Sequence, residues 1–213
     1  MREAYLMMVI IDSLKEITDL KEILKSPIRH KKVVLFVTAI FLISFIVSYL
    51  LIDYVPYFSG LGNLLFDNFK KEVEAYDILN TEDNLKIILF IWKHNLSVCI
   101  MDYVIGIFST FVIIFNSYIL SYVLYKFGIM AFIYLILPHG IFEIPALILS
   151  ASSGILFNIG IINLLANIKF GTNKEVSYYI KESLKLLILA IILFLIAGII
   201  EGTITFQLSK VIR

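Results

Sequence analysis

Asp102, His139, Glu143 and Glu201 are chemistry-capable side chains that sit inside long apolar runs, with Asn116 as a polar companion. Imidazole and carboxylate groups held away from water can pair as ions, pass a proton, bind a polar ligand or ligate a metal. His139 and Glu143 are four residues apart in Pro138-His139-Gly140-Ile141-Phe142-Glu143-Ile144-Pro145. Together they supply two metal donors, whereas a zinc site wants three or four. Glu201 or Asp102 could complete a set only through packing, so no metal and no cofactor is expected. The serines at 150, 152 and 153 lie near no second histidine, and the Gly-x-Ser-x-Gly elbow is missing. Neither a phosphate loop nor a dinucleotide fingerprint occurs. No catalytic residue is assigned, and the chain is not expected to be an enzyme. His139, Glu143, Glu201, Asp102 and Asn116 are read as the lining of a polar pocket. The plainer reading makes Glu143 an acceptor for amides freed by a helix break, with His139 as its partner.

The elements that must hold these groups are transmembrane. Of 213 residues, 60% are hydrophobic and 16% charged, with 18 Lys+Arg against 17 Asp+Glu. Soluble domains run at about 45–50% apolar and about 25% charged. The excess is concentrated in charge-free runs such as 33–52, 103–125 and 186–200, each near the length that spans a bilayer. That pattern excludes a soluble enzyme. Near-neutral net charge excludes a dedicated nucleic-acid binder. A single cysteine, Cys99, excludes a disulfide framework. The first 32 residues are too charged for the apolar core of a cleavable leader, so none is expected.

Residues 1–32 read as a cytoplasmic amphipathic helix, with Leu6, Ile10, Leu14, Ile17, Leu20 and Leu24 at helical spacing, ended by Ser26-Pro27. Arg29, Lys31 and Lys32 mark the cytoplasmic side of a first span. The transmembrane domain covers 33–207, with an acidic exterior segment at 53–93 and a tail at 208–213. Trp92 beside Lys93 reads as an interface anchor. A second span runs inward over about 95–125 and turns at Lys126-Phe127-Gly128 on the cytoplasmic face. Residues 127–168 then go out and return, and a last span rises from about Leu184. The expected fold is an all-α polytopic bundle of about five spans, with one broken helix and amphipathic interfacial helices. Its N-terminus is inside and its C-terminus outside.

Pro138 and Pro145 remove backbone donors, and Gly140 permits unusual dihedrals, so 138–145 is expected to be irregular. Rise per residue places Asp102, His139, Glu143 and Glu201 in one layer of the outer half of the bilayer, where charges should turn inward and find partners. Ala146, Ser150 and Gly154, like Gly198 and Gly202, repeat every four residues and should let helices approach closely. A homodimer face is the alternative use of such stripes.

The stretch from His94-Asn95 through Asn116, the segment Pro138–Ala146 and the late Ile200-Glu201-Gly202 resemble the stage II sporulation protein M family of polytopic membrane proteins. The likeness covers roughly residues 30–205, and Pro-His-Gly…Glu…Pro-Ala is its most specific part. Asn116, the small residues Ser150–Gly154 and Glu201-Gly202 match further family positions. Where the family often has Gly after that Asn, this chain has Ser117, and its small stretch is richer in serine. The resemblance implies a membrane scaffold, akin to a namesake that recruits wall hydrolases on the outer face. Many relatives, archaeal ones included, lack that setting. The partners expected are the lipid bilayer, membrane or exterior proteins, and a second copy. A transporter or channel using the buried carboxylates is the alternative function, and an intramembrane hydrolase a weaker one.

Overall fold

The computed structural model describes residues 12–76, 78, 81 and 83–205. All of the regular structure described is helical. Residues 12–18 form α1, and α2 (Leu20–Arg29) follows directly. Asp19 separates them because its carboxylate caps α2, accepting from the amides of Lys21 (2.8 Å) and Glu22 (3.3 Å). The single helix expected over 1–26 is thus two helices, and Pro27 lies inside the last turn of α2 rather than ending it. Leu6, Ile10 and the 208–213 tail lie outside the described residues.

The chain continues through α3 (Lys31–Tyr54), α4 (Pro56–Ala75), α5 (Asn84–Ile105), a 3-10 turn at Gly106–Phe108, α6 (Ser109–Leu135), α7 (Leu137–Phe170) and α8 (Val176–Ile200). A π-helical turn, Glu201–Thr205, extends α8. Four apolar helical stretches are long enough to cross a membrane: 31–54, 84–135, 137–170 and 176–205. The second doubles back. Asn95 and Asn116 line one cavity, yet a straight helix would set them about 31 Å apart. The reversal is at Gly106, whose φ of 62° is open to glycine at little cost. A Cβ there would also strike the Asn158 side chain. Among the described residues the total of five passes agrees with the sequence expectation, but its make-up is corrected: the single second span expected over about 95–125 is two helices, α5 and α6, and the out-and-back pair expected over 127–168 is the one continuous α7.

Two expectations are corrected here. Residues 84–105 are one helix, capped by the Asp83 carboxylate, so the span begins about ten residues before Asn95. Trp92 is no interface anchor: its indole donates to the Leu195 carbonyl at 3.0 Å, inside the bundle. Residues 126–128 do break the helix, with Gly128 at φ 80°. However, Lys126 reaches Asn63 of α4 at 3.2 Å, so this turn lies at the opposite end of the bundle from Arg29 and His30, not beside them. We call the α4 end apical and the α2 end basal.

The segment 138–145 is also not irregular. It forms the first turns of the continuous 34-residue α7. Pro138 occupies the opening turn, where no amide partner is needed. Pro145 removes one ladder bond on an exposed face of α7, and the helix runs on through it.

Residues 146–156 of α7 are buried without interruption, making this helix the axis of the core. Val37 and Phe41 of α3, Ile113 of α6, and Leu186, Ala190 and Phe194 of α8 pack around it. The small residues set the spacing. A Cβ on Gly154 would fall on the Asp102 carbonyl, and one on Gly198 or Gly202 would strike Trp92 or Ile88. These stripes are therefore occupied within the chain. On the apical side α4 crosses α6 at Gly62, which lies against the Tyr122 ring. Tyr122 donates to Asn63 at 2.6 Å, and Tyr118 donates to the Phe58 carbonyl.

Candidate functional site

His139 and Glu143 stand one turn apart at the apical start of α7, on its inward face. His139 is buried (5% exposed). Its Nδ1 lies 3.2 Å from the Thr205 hydroxyl and its Nε2 lies 3.5 Å from the Glu143 carboxylate. Glu201 enters from the π-helical turn that ends α8. One ligand atom each of His139, Glu143 and Glu201 lies within 4.8 Å of the other two. Residues 143 and 201 are far apart in sequence, and the layer expected from rise per residue brings them to one depth. The antiparallel packing of α7 on α8 creates their meeting, putting the first turns of one beside the last turns of the other.

Beside Glu143 is a cavity of about 30 Å³, lined also by His94, Asn95, Asn116 and Phe194. That is room for a bound water. Asn116 joins the site as a wall, its amide donating back to the Val112 carbonyl at 2.9 Å. Asn95 is 5% exposed, and its amide nitrogen has no hydrogen-bond partner among the described residues. The sequence reading did not select Asn95, although its place one residue after His94 within an apolar stretch was a usable signal.

Asp102 does not join this group. It lies lower on α5, where one oxygen accepts from Ser150 at 2.9 Å and the other has no partner among the described residues. Ser150 is seven residues beyond Glu143 on α7, or about 10 Å toward the base. The expected layer of four is thus a cluster of three with a separate buried acid below it. Pro138, Gly140 and Pro145 shape the same helix but do not break it.

A second polar group escaped sequence reading altogether. At the base, Glu182 and Lys185 are 1% and 0% exposed and pair at 2.8 Å. Lys185 also reaches Glu16 of α1 at 2.8 Å, and Lys181 reaches Glu16 at 2.9 Å. From α2, Ser26 donates to Glu182 at 2.8 Å, and Arg29 approaches it at 3.4 Å. His30, between α2 and α3, lies 3.3 Å from Glu182. Hydrogen bonds from Lys185 and Lys181 hold the Glu16 carboxyl down at about 2. Burial pushes His30 below the usual imidazole range, against the pull of Glu182. Lys181-Glu182-Ser183 precedes the span expected from about Leu184, yet it belongs to α8, and a salt pair three residues apart was the available sign.

A family model described as stage II sporulation protein M matches residues 34–206. An uncharacterized protein of Methanocaldococcus jannaschii is 67% identical over 211 residues, covering 99% of each chain. No solved structure matches. The matched stretch takes in all five passes and the His139–Glu143–Glu201 cluster, and the chain belongs to the stage II sporulation protein M family.

Proposed function

We propose that this protein is an integral membrane scaffold that receives a partner protein at its apical end, acting by binding rather than turnover. The observation that carries this reading is α4. It is a 20-residue helix outside the apolar spans, braced across α6 by the Gly62–Tyr122 contact. Tyr57 and Leu64 on α4, and Tyr54 just before it, stay exposed. Aromatic side chains on a braced helix are the kind of surface that anchors partners. Arg29, Lys31 and Lys32 favour a cytoplasmic base, which sets α4 and the His139 cluster on the exterior side, with the N-terminus inside and the C-terminus outside. The partner is then a membrane or exterior protein, with a second copy as the alternative. The alternative, a transporter or channel using the buried carboxylates, loses the helix break at 138–145 because α7 is continuous, and keeps only the carboxylates.

Photo-crosslinkers at Tyr57 and Leu64, in native membranes, test the reading. Protein adducts at these positions, weakened by Tyr122→Ala, are expected. Adducts to lipid alone from both positions, with a monomer in nanodiscs, would refute it. Single cysteines replacing Asp67 and Asn173 should label from opposite sides of sealed vesicles, and labelling from one side overturns the topology.

A further inference from the structure

We propose that His139, Glu143 and Glu201 bind one divalent transition-metal ion of the zinc type, within the apical half of the membrane domain. The cluster offers one imidazole nitrogen and two carboxylate oxygens, a donor set suited to zinc and its first-row neighbours. Three protein ligands leave a fourth position for water or a partner group.

Three independent features of the geometry point the same way. First, the imidazole is already oriented. With Nδ1 directed at the Thr205 hydroxyl at 3.2 Å, Nε2 faces the carboxylates. Metal-binding histidines are usually held this way, through the ring nitrogen that does not ligate. If Nδ1 carries the proton, Nε2 presents a lone pair toward an acceptor oxygen 3.5 Å away, which needs a cation or proton between them. Second, the spacing fits. Two ligands on one tetrahedral zinc, with bonds of about 2.0–2.2 Å, lie about 3.4 Å apart. His139 and Glu143 are already at 3.5 Å. Glu201, within 4.8 Å of both, needs to close by no more than about 1.4 Å to match that bond geometry. It sits on a π-helical turn, a backbone form found often at functional sites. Third, Asn95 presents a buried amide nitrogen without a partner to the cavity that Glu143 also lines. A buried donor of this kind calls for an acceptor, and a metal-bound water in that cavity supplies one.

Charge supports the assignment. Two carboxylates this close within the membrane domain repel unless a proton or cation lies between them. A divalent ion neutralises both. This inference does not rest on the scaffold reading, since a metal site can brace α7 against α8 whatever α4 binds.

The test uses the full chain in nanodiscs, stripped with chelator, dialysed against Zn²⁺ and analysed for metal. About one zinc per chain is expected, removable by EDTA. Co²⁺ in its place should give a visible ligand-field spectrum. Glu201→Gln and His139→Ala should abolish binding, while Asp102→Asn should keep it. Thr205→Val, which removes only the orienting hydroxyl, should weaken affinity about 10–100-fold. No metal on the wild-type chain after loading with Zn²⁺ or Mn²⁺ overturns the proposal and leaves a proton-sharing carboxylate pair. Binding that Glu201→Gln and His139→Ala both leave unchanged overturns it equally, because the ion then lies elsewhere.

Discussion

Replacing Lys185 by Met removes the cation at the centre of the basal network and little else, since the two side chains are similar in length and both fit an apolar setting. Lys185 is fully buried and Glu182 is 1% exposed, so water screens their attraction weakly. Deleting one partner of a buried ion pair costs about 3–5 kcal/mol, because the other charge is left uncompensated. Part of that is recovered here. Glu182 keeps the Ser26 hydroxyl at 2.8 Å and the Arg29 guanidinium at 3.4 Å. Glu16 is 44% exposed and keeps Lys181, so its loss adds little. The lower end, about 3 kcal/mol, is therefore expected. For a chain of this size each kcal/mol moves the melting temperature by about 2–4 °C, giving a fall of about 6–12 °C. Thermal unfolding of the purified protein in detergent measures it. The companion variant Lys185→Met with Glu182→Leu removes both charges and should recover to within about 1 kcal/mol of wild type, since apolar replacement of a buried pair is often neutral. A single variant melting within about 2 °C of wild type, or a double variant as unstable as the single, would refute the claim that this pair is buried and coupled.

Gly154→Val should cost more than the about 1–3 kcal/mol usual for overpacking, because its Cβ meets the Asp102 backbone, which cannot swing aside; failure to yield a folded monodisperse protein is the readout. Gly106→Ala should destabilise by at least about 1–2 kcal/mol from left-handed strain alone, and pairing it with Asn158→Ala should recover only the steric share, as melting temperatures will show. Tyr122→Phe should cost about 1 kcal/mol and loosen α4, seen as faster amide exchange over 58–66. Acid should release the base in two stages. His30 is depressed, so its unfolded form takes up protons first, and stability falls as pH drops below about 6.5. Glu16, held at about 2, contributes stability that is full above about 4.5 and lost as pH falls toward 2. Proteolysis of α1 and α2 across pH 2–8 should show both limbs, with His30→Gln removing the upper and Glu16→Gln the lower.

Much of this architecture was legible because a bilayer limits the solutions. Charge-free runs gave the number of passes, and the cost of lipid-facing charge gathered His139, Glu143 and Glu201. Boundaries were harder. Gly106 falls inside the single span expected over about 95–125, since nothing in composition separates a 52-residue apolar stretch that continues from one that reverses. Pro138 and Pro145 look like breakers in any sequence. Their effect depends on position: one falls where an amide is spare, and the other just before the stretch 146–156 whose burial holds α7 in place. Glu182 and Lys185 were missed for a related reason. A charged pair at the end of a span looks solvated until another element, here α1 and α2, is known to cover it.

Between the basal clamp and α4 runs α3, 24 residues long, or about 36 Å. Its outer face offers Leu35, Phe36, Ile43 and Ile46 to lipid. Amphipathic helices tied down at both of its ends give the bundle a gauge of membrane thickness. A typical hydrocarbon core measures about 30 Å, and each ångström of mismatch costs a fraction of a kcal/mol. In a thin bilayer the helix must tilt, or one tether must lift from the headgroups. The charge-free part of α3, residues 33–52, spans about 30 Å, so the protein should partition away from membranes thinner than that, and acidification that loosens Glu16 and His30 should relax that preference.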